Sequence, residues 1–77
     1  MQMARVNLNG PVVDTTSGRI YTRWGFEVAF PGKVQDAIDS CLPGEKLDVY
    51  INSGGGSVFD GSEIYTMLRD EAKKREV

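Results

Sequence analysis

Three consecutive glycines, Gly54–Gly56, constrain this sequence more than any other feature. They follow the segment Leu47–Ile51, in which apolar and polar residues alternate like a strand with one buried face. They precede an amphipathic helix, predicted from Val58 to about Lys74, which Ser57 is placed to cap. A strand therefore enters a helix through a turn without side chains, and the backbone N–H groups at such a helix start favour negative charge.

Upstream of the glycines, the pattern predicts short strands. Arg5–Leu8 alternates and stops at an Asn-Gly-Pro turn signal, after which Val12-Val13 is compatible with a resumed strand. The polar segment 14–18 is interpreted as a second turn and 19–23 (RIYTR) as another strand, so that these two strands could form a hairpin. Trp24–Phe30 is compatible with either a strand or a loop that carries apolar anchors.

A further helix is predicted to begin at Pro31, because proline is tolerated in the first helical turn. Cys41 lies on its apolar stripe and is interpreted as a core residue. The apolar stripe of this helix contains Val34, Ala37, Ile38, Cys41 and Leu42, and that of the later helix contains Val58, Gly61, Ile64, Tyr65 and Leu68. The order of elements predicts an α/β fold with a parallel sheet.

Composition limits the function classes. The 77 residues suffice for one small domain or part of one, and the net charge of -2 gives no electrostatic reason to expect nucleic acid or an anionic membrane. The single Cys41 argues against a disulfide-built secreted protein, so we expect a cytoplasmic location. The sequence contains no histidine, so it cannot supply a Ser-His-Asp triad or a histidine metal site.

Four functions are associated with glycine-rich turns between a strand and a helix. A phosphate-binding loop requires Lys-Ser/Thr where Ser62-Glu63 stands, and a dinucleotide fingerprint or a nucleophile elbow requires glycine where Phe59 stands. Ser57 as a nucleophile would also lack a histidine base, and helix capping is sufficient to explain it. The fourth function is an oxyanion hole, in which glycine lets a substrate carbonyl approach a backbone N–H. A purely structural turn remains the simplest alternative.

The segment Ile51–Val58 (INSGGGSV), followed by Gly61 and Ile64-Tyr65, resembles the I-N-S-P-G-G-x-V…G…I-Y signature of the Clp protease proteolytic subunit. It is especially similar to the Clp-like head maturation proteases of phages and prophages. The resemblance covers Val49–Leu68 closely and the upstream segments loosely. Gly54 occupies the proline position of the family, and because proline fixes φ, glycine there loosens the turn.

The resemblance implies a serine endopeptidase with a partial ClpP/crotonase-like ββα fold, of which residues 1–77 form a single N-terminal fragment. It implies that Gly56, beside Gly55, donates the oxyanion-hole N–H, and that Gly56, Ser57 and Val58 pair with the backbone of a polypeptide substrate. The family's serine, histidine and aspartate lie later than position 77, so we expect this fragment to be inactive alone. With this resemblance, an ATP-driven unfoldase or phage capsid proteins are candidate partners, and no cofactor is expected. The small size of the chain predicts a homo-oligomer.

Two other function classes stay open. The absence of histidine and the small size are compatible with a non-enzymatic module that self-associates through apolar helix faces, since a chain of this size buries only about 60% of its unfolded surface. Unpaired sheet edges also favour association with another copy. A fragment of a crotonase-like acyl-CoA enzyme is a weaker alternative, because that superfamily is similar in its fold and its glycine-rich donor.

Overall fold

The chain forms an α/β fold whose elements follow one another in the order strand, helix, helix, strand, helix. The computed structural model describes residues 3–77. Its regular elements are β1 (Met3–Asn9), α1 (Thr15–Arg23), α2 (Pro31–Asp39), β2 (Lys46–Asn52) and α3 (Val58–Glu71). The two strands form a parallel sheet, so the predicted fold class and strand direction are confirmed.

The core lies between this sheet and the helices α2 and α3. The strand register places Val6 opposite Val49 and Leu8 opposite Ile51, and because successive side chains point to opposite faces, the apolar residues share one face. Helix α2 packs against both β1 and α3. The buried core consists of Val6, Leu8, Ala29, Val34, Leu47 and Ile64. The glycines follow the carboxyl end of β2, the sheet edge at which open α/β folds bind ligands.

The segment that follows Asp14 differs from the prediction, because it forms the helix α1. The Asp14 carboxylate accepts a hydrogen bond from the Ser17 N–H at 2.9 Å and caps this helix. The predicted turn 14–18 is therefore the helix start, and the predicted strand 19–23 is its second half. The predicted hairpin is absent from the described residues 3–77.

Close packing of Gly18 explains why this helix forms. A Cβ atom at Gly18 would lie 2.3 Å from Cδ1 of Phe30, so the helix backbone sits directly against that ring. The contact joins residues that are distant in sequence, and it outweighs the local preference of RIYTR for a strand.

The segment 24–30 is a loop, and its apolar anchors are at its end. Trp24 and Phe26 are exposed, whereas Val28, Ala29 and Phe30 are buried. Ala29 forms an isolated bridge with Val12. The strand that was predicted to resume at Val12-Val13 is therefore reduced to isolated pairings made by Val12.

Helix α2 ends earlier than the predicted stripe. It ends at Asp39 with Ser40 as its C-cap, so Cys41 and Leu42 lie beyond it. Cys41 still packs against the core, which confirms its interpretation as a core residue, but Leu42 is exposed. The predicted apolar stripe of α2 therefore extends about one turn beyond the end of the helix.

Helix α3 also ends before its predicted limit, at Glu71 rather than Lys74. The buried Glu71 carboxylate forms an ion pair with Arg75, and this hydrogen bond raises the pKa of the guanidinium. Arg75 also donates to the C=O groups of Leu42 and Glu45, each at 2.9 Å. These contacts fasten the end of α3 to the connection between α2 and β2.

Candidate functional site

The site predicted from the sequence is the glycine turn, which we define as residues 53–57. Gly55 and Gly56 have φ values of 122° and 143°, which side chains strongly disfavour. All three glycines of the turn are exposed. The Ser53 hydroxyl lies 3.3 Å from both the N–H and the C=O of Gly55. The turn is thus a defined backbone conformation on the surface of the chain.

One edge of the glycine turn is paired with Val12. The Val12 N–H donates to the Gly55 C=O at 3.0 Å, and the Ser57 N–H donates to the Val12 C=O at 2.9 Å. The two bonds form a parallel bridge centred on Gly56. In an extended segment the hydrogen-bonding groups of successive residues point to opposite edges. The N–H and C=O of Gly56 therefore point away from Val12.

The Gly56 N–H is a free donor within the described part of the chain. Neither this N–H nor the Gly56 C=O forms a backbone hydrogen bond with residues 3–77, and Gly56 is exposed. The following helix, α3, begins two residues later and adds partial positive charge at this position. The arrangement offers one oriented donor to an oxygen that approaches from the open edge.

The fold itself explains why position 56 is glycine. A Cβ there would lie 2.4 Å from the Val12 carbonyl oxygen and 2.6 Å from the Val12 nitrogen. A Cβ at Gly54 or Gly55 would have no atom within 4 Å. Close approach of Val12, rather than of a substrate, is therefore sufficient to require Gly56. Evidence for a functional donor must come from the orientation of its N–H.

Ser57 caps α3, as the sequence predicted. Its hydroxyl accepts a hydrogen bond from the Asp60 N–H at 3.2 Å, and its own N–H is bound to Val12. Gly56 thus keeps both its N–H and its C=O on the open edge, whereas the N–H and the hydroxyl of Ser57 are engaged within the chain. Val58, which was predicted to lie on the apolar stripe of α3, is 81% exposed, and Phe59, which sequence reasoning did not select, is 91% exposed. Phe59 could have been recognised from the sequence, because it is an apolar residue that lies off the apolar stripe of the helix.

An apolar groove of about 500 Å³ adjoins the glycine turn between β2 and α3. Its volume falls within the range typical of ligand sites. Ile51 and Tyr65 were predicted to be buried, yet they are 68% and 64% exposed. They border this groove together with Ser53, Ile64 and Leu68. The groove therefore accounts for apolar stripe residues that the chain leaves uncovered.

The first turn of α3 carries the acidic residue Asp60, which complements the helix dipole. This carboxylate disfavours a permanently charged phosphate at the same place. Within residues 3–77, no three His, Cys, Asp or Glu side chains are grouped so that they could hold a metal ion. None of the described helices has the length and apolar character needed to cross a membrane.

Comparison with known proteins identifies the same segment. A family model described as Clp protease matches residues 36–75, which include β2, the glycine turn and α3. No curated protein and no solved structure matches the chain. The matched residues make up more than half of the sequence. The chain is thus a member of the Clp protease family.

Proposed function

We propose that this chain supplies the oxyanion-donating turn of a serine endopeptidase, with Gly56 as the donor and Gly55 beside it. The observation that carries the proposal is the orientation of the Gly56 N–H. The bridge to Val12 is formed by the flanking Gly55 C=O and Ser57 N–H, which leaves the Gly56 N–H on the open edge. The match to the Clp protease family supports a peptidase as the parent protein.

The chemistry needs a donor that is already aligned when negative charge develops on the carbonyl oxygen of the scissile peptide bond. Two hydrogen bonds to Val12 and the Ser57 cap hold the backbone on both sides of Gly56. A donor fixed in this way stabilises the tetrahedral intermediate without rearranging during the reaction. Gly55 contributes through its φ of 122°, which sets the direction of the next peptide.

The substrate in this proposal is an extended polypeptide. The Gly56 C=O lies on the same open edge as its N–H and can accept from a substrate N–H, as in the addition of a strand. The exposed Val58 side chain lies next in the chain and offers apolar contact. Ser57 would act by fixing this backbone, since its own N–H and hydroxyl are engaged within the chain.

The nucleophile belongs to another part of the peptidase in this proposal. The sequence has no histidine, so the serine system that attacks the peptide bond cannot be completed by these residues. Residues 1–77 would therefore be an inactive N-terminal fragment of the domain. The motif INSGGGSV supports a parent protein of the phage or prophage head maturation type. In this proposal the parent is a cytoplasmic homo-oligomer. It either cleaves capsid proteins or works together with an ATP-driven unfoldase.

The test uses the product of the whole reading frame that contains this sequence. We expect it to react with a fluorophosphonate probe and to cleave a fluorogenic peptide. Gly56→Pro removes the donor N–H, and we expect a loss of about 100- to 1,000-fold in the cleavage rate. Circular dichroism must show that this variant is folded, because a Cβ at position 56 also meets Val12. Gly54→Pro is the matched control, because proline stands there in the family signature. Absence of probe labelling, or equal rates for the two variants, would overturn the proposal.

A second candidate function is a non-enzymatic module that self-associates. The uncovered groove supports it, because exposed apolar patches mark interaction surfaces. Light scattering of the chain should then show a defined oligomer, and Tyr65→Glu, a change at the groove border, should give monomers. A monomer in the unsubstituted chain would eliminate this candidate.

A further inference from the structure

A second concave site lies between α1 and α2, away from the glycine turn. This α1–α2 pocket has a volume of about 450 Å³. It is lined by Arg19, Thr22, Arg23, Phe30, Lys33 and Asp36. Three of the nine cationic residues of an otherwise acidic chain therefore border one small cavity, which also contains one carboxylate.

The positive charges of this pocket are not equally compensated. Arg19 and Asp36 form an ion pair at 3.2 Å, so these two charges largely cancel. The Arg19 guanidinium also lies 5.8 Å from the centre of the Phe30 ring, which helps to hold it in place. Arg23 and Lys33 have no ion-pair partner among residues 3–77. The pocket thus presents two uncompensated positive charges.

Two exposed apolar residues, which we call the apolar row, follow these arginines in the sequence. Arg19 and Arg23 are four residues apart on one side of α1. Ile20 lies about 100° further around the helix, and Trp24 is the C-cap residue that follows it. Ile20 is 43% exposed and Trp24 is 68% exposed. Tyr21 and Phe26 form an exposed edge-to-face aromatic pair that borders a separate pocket together with Glu27. The surface therefore combines positive charge with a large apolar area.

We propose that the α1–α2 pocket and the adjacent apolar row bind an acidic polypeptide segment that carries apolar side chains. Glutamate or aspartate side chains would pair with Arg23 and Lys33, and the apolar side chains would contact Ile20 and Trp24. A polypeptide fits better than a nucleic acid because the chain as a whole has a net charge of -2, which repels a long polyanion. A simple inorganic anion would leave the apolar row uncovered.

The test uses Trp24 as a reporter, since it is the one tryptophan of the chain. The purified chain is titrated with a short peptide of glutamate and leucine residues while tryptophan fluorescence is recorded. We expect saturable binding that weakens as ionic strength rises, because exposed charge pairs are screened by salt. A peptide with glutamine in place of glutamate should bind at least about threefold more weakly, the loss expected for exposed charge pairs.

Charge-neutralising variants locate the binding surface. Arg23→Gln and Lys33→Gln should each weaken binding about two- to fivefold, the range measured for exposed ion pairs. Lys74→Gln is the matched control, because Lys74 is exposed, has no ion-pair partner among the described residues and lies outside the pocket. Circular dichroism of every variant verifies that the fold is retained.

Three results would overturn the proposal. The first is the absence of saturable binding by the acidic peptide at low ionic strength. The second is an equal effect of Lys74→Gln and the two pocket variants, which would indicate general electrostatic attraction. The third is tighter binding of a duplex DNA oligonucleotide than of the acidic peptide, which would assign the surface to nucleic acid instead.

Discussion

The glycine turn and the α1–α2 pocket are built from different parts of the polypeptide. At the glycine turn, the free groups belong to the backbone of Gly56, and Val12 fixes their direction through two backbone hydrogen bonds. In the α1–α2 pocket, the free groups are the side chains of Arg23 and Lys33. A backbone site is sensitive to an added Cβ and tolerant of changes in charge, whereas a side-chain site has the opposite sensitivities.

The two regions also differ in the atoms that surround their glycines. A Cβ at Gly56 would meet the backbone of Val12, and a Cβ at Gly18 would meet the side chain of Phe30. A ring can rotate or shift within a core, but a paired backbone segment cannot move without breaking its hydrogen bonds. The expected cost of adding a methyl group is therefore larger at the glycine turn.

The largest effect is expected for Gly56→Ala. The new methyl group would lie 2.4 Å from the Val12 carbonyl oxygen, at a φ of 143° that alanine rarely adopts. Strain of this kind together with overpacking should lower the free energy of unfolding by about 3 kcal/mol or more. Urea denaturation measures the change. Gly54→Ala is the control, because a Cβ there has open space around it. Its free energy of unfolding should stay within about 0.5 kcal/mol of that of the parent chain. An equal loss in both variants would refute the close contact between Gly56 and Val12.

Gly18→Ala tests the contact between α1 and the loop before α2. Overpacking against Phe30 should cost about 1–3 kcal/mol, partly offset by the better helix propensity of alanine. Phe30→Leu in the same chain should recover part of this loss. Gly61→Ala in α3 is the matched helical control, because a Cβ there has no neighbour within 4 Å, and it should stabilise the chain by about 0.5–1 kcal/mol. Stabilisation by Gly18→Ala would contradict the packing described for α1.

Ser57→Ala removes the cap of α3 and should lower the free energy of unfolding by about 1 kcal/mol. The reason is that the Asp60 N–H loses its partner at 3.2 Å. Ser62→Ala, at an exposed position within the same helix, should be neutral or slightly stabilising. If the two serine variants had the same stability, Ser57 would not be a cap, and it would be available for another function.

The smallest expected effect is a pH dependence at Asp14, the cap of α1. The hydrogen bond from the Ser17 N–H lowers the pKa of this carboxyl below its ordinary value of 3.8. A lowered folded-state pKa means that the stabilisation is present above the ordinary pKa and is lost as the pH falls through the folded-state value. Unfolding midpoints of the parent chain and of Asp14→Asn, which retains a cap without a charge, should converge as the pH falls through the ordinary pKa of 3.8 and below it. Parallel curves would contradict the charged cap.

Sequence reasoning succeeded where local periodicity and burial coincide. The alternation from Leu47 and the helical spacing around Ile64 predicted β2 and α3, and Ser57 was correctly predicted as the cap between them. The helix α1 was missed because it depends on Gly18 fitting under Phe30, a contact between residues that are distant in sequence. No local pattern marks that contact, and the alternation in RIYTR favoured a strand.

The candidate site divides in the same way. Gly56 could be selected from the motif, but its partner Val12 could not, because nothing in the sequence around Val12 indicates a bridge to a residue far along the chain. That bridge supplies the structural reason for glycine at position 56 and orients the free N–H. The exposed Ile51 and Tyr65 were also mistaken for core residues, since periodicity reports which face of an element is apolar and does not report what covers it.

Amide hydrogen exchange resolved by NMR measures whether the Gly56 N–H is a free donor while its neighbours are paired with Val12. We expect the Gly56 amide to exchange close to the rate of an unfolded chain, and we expect the Ser57 amide, bound to the Val12 C=O at 2.9 Å, to be protected. Protection of Gly56 equal to that of Ser57 would show that its N–H is already occupied within the chain, and the oxyanion donor would be excluded.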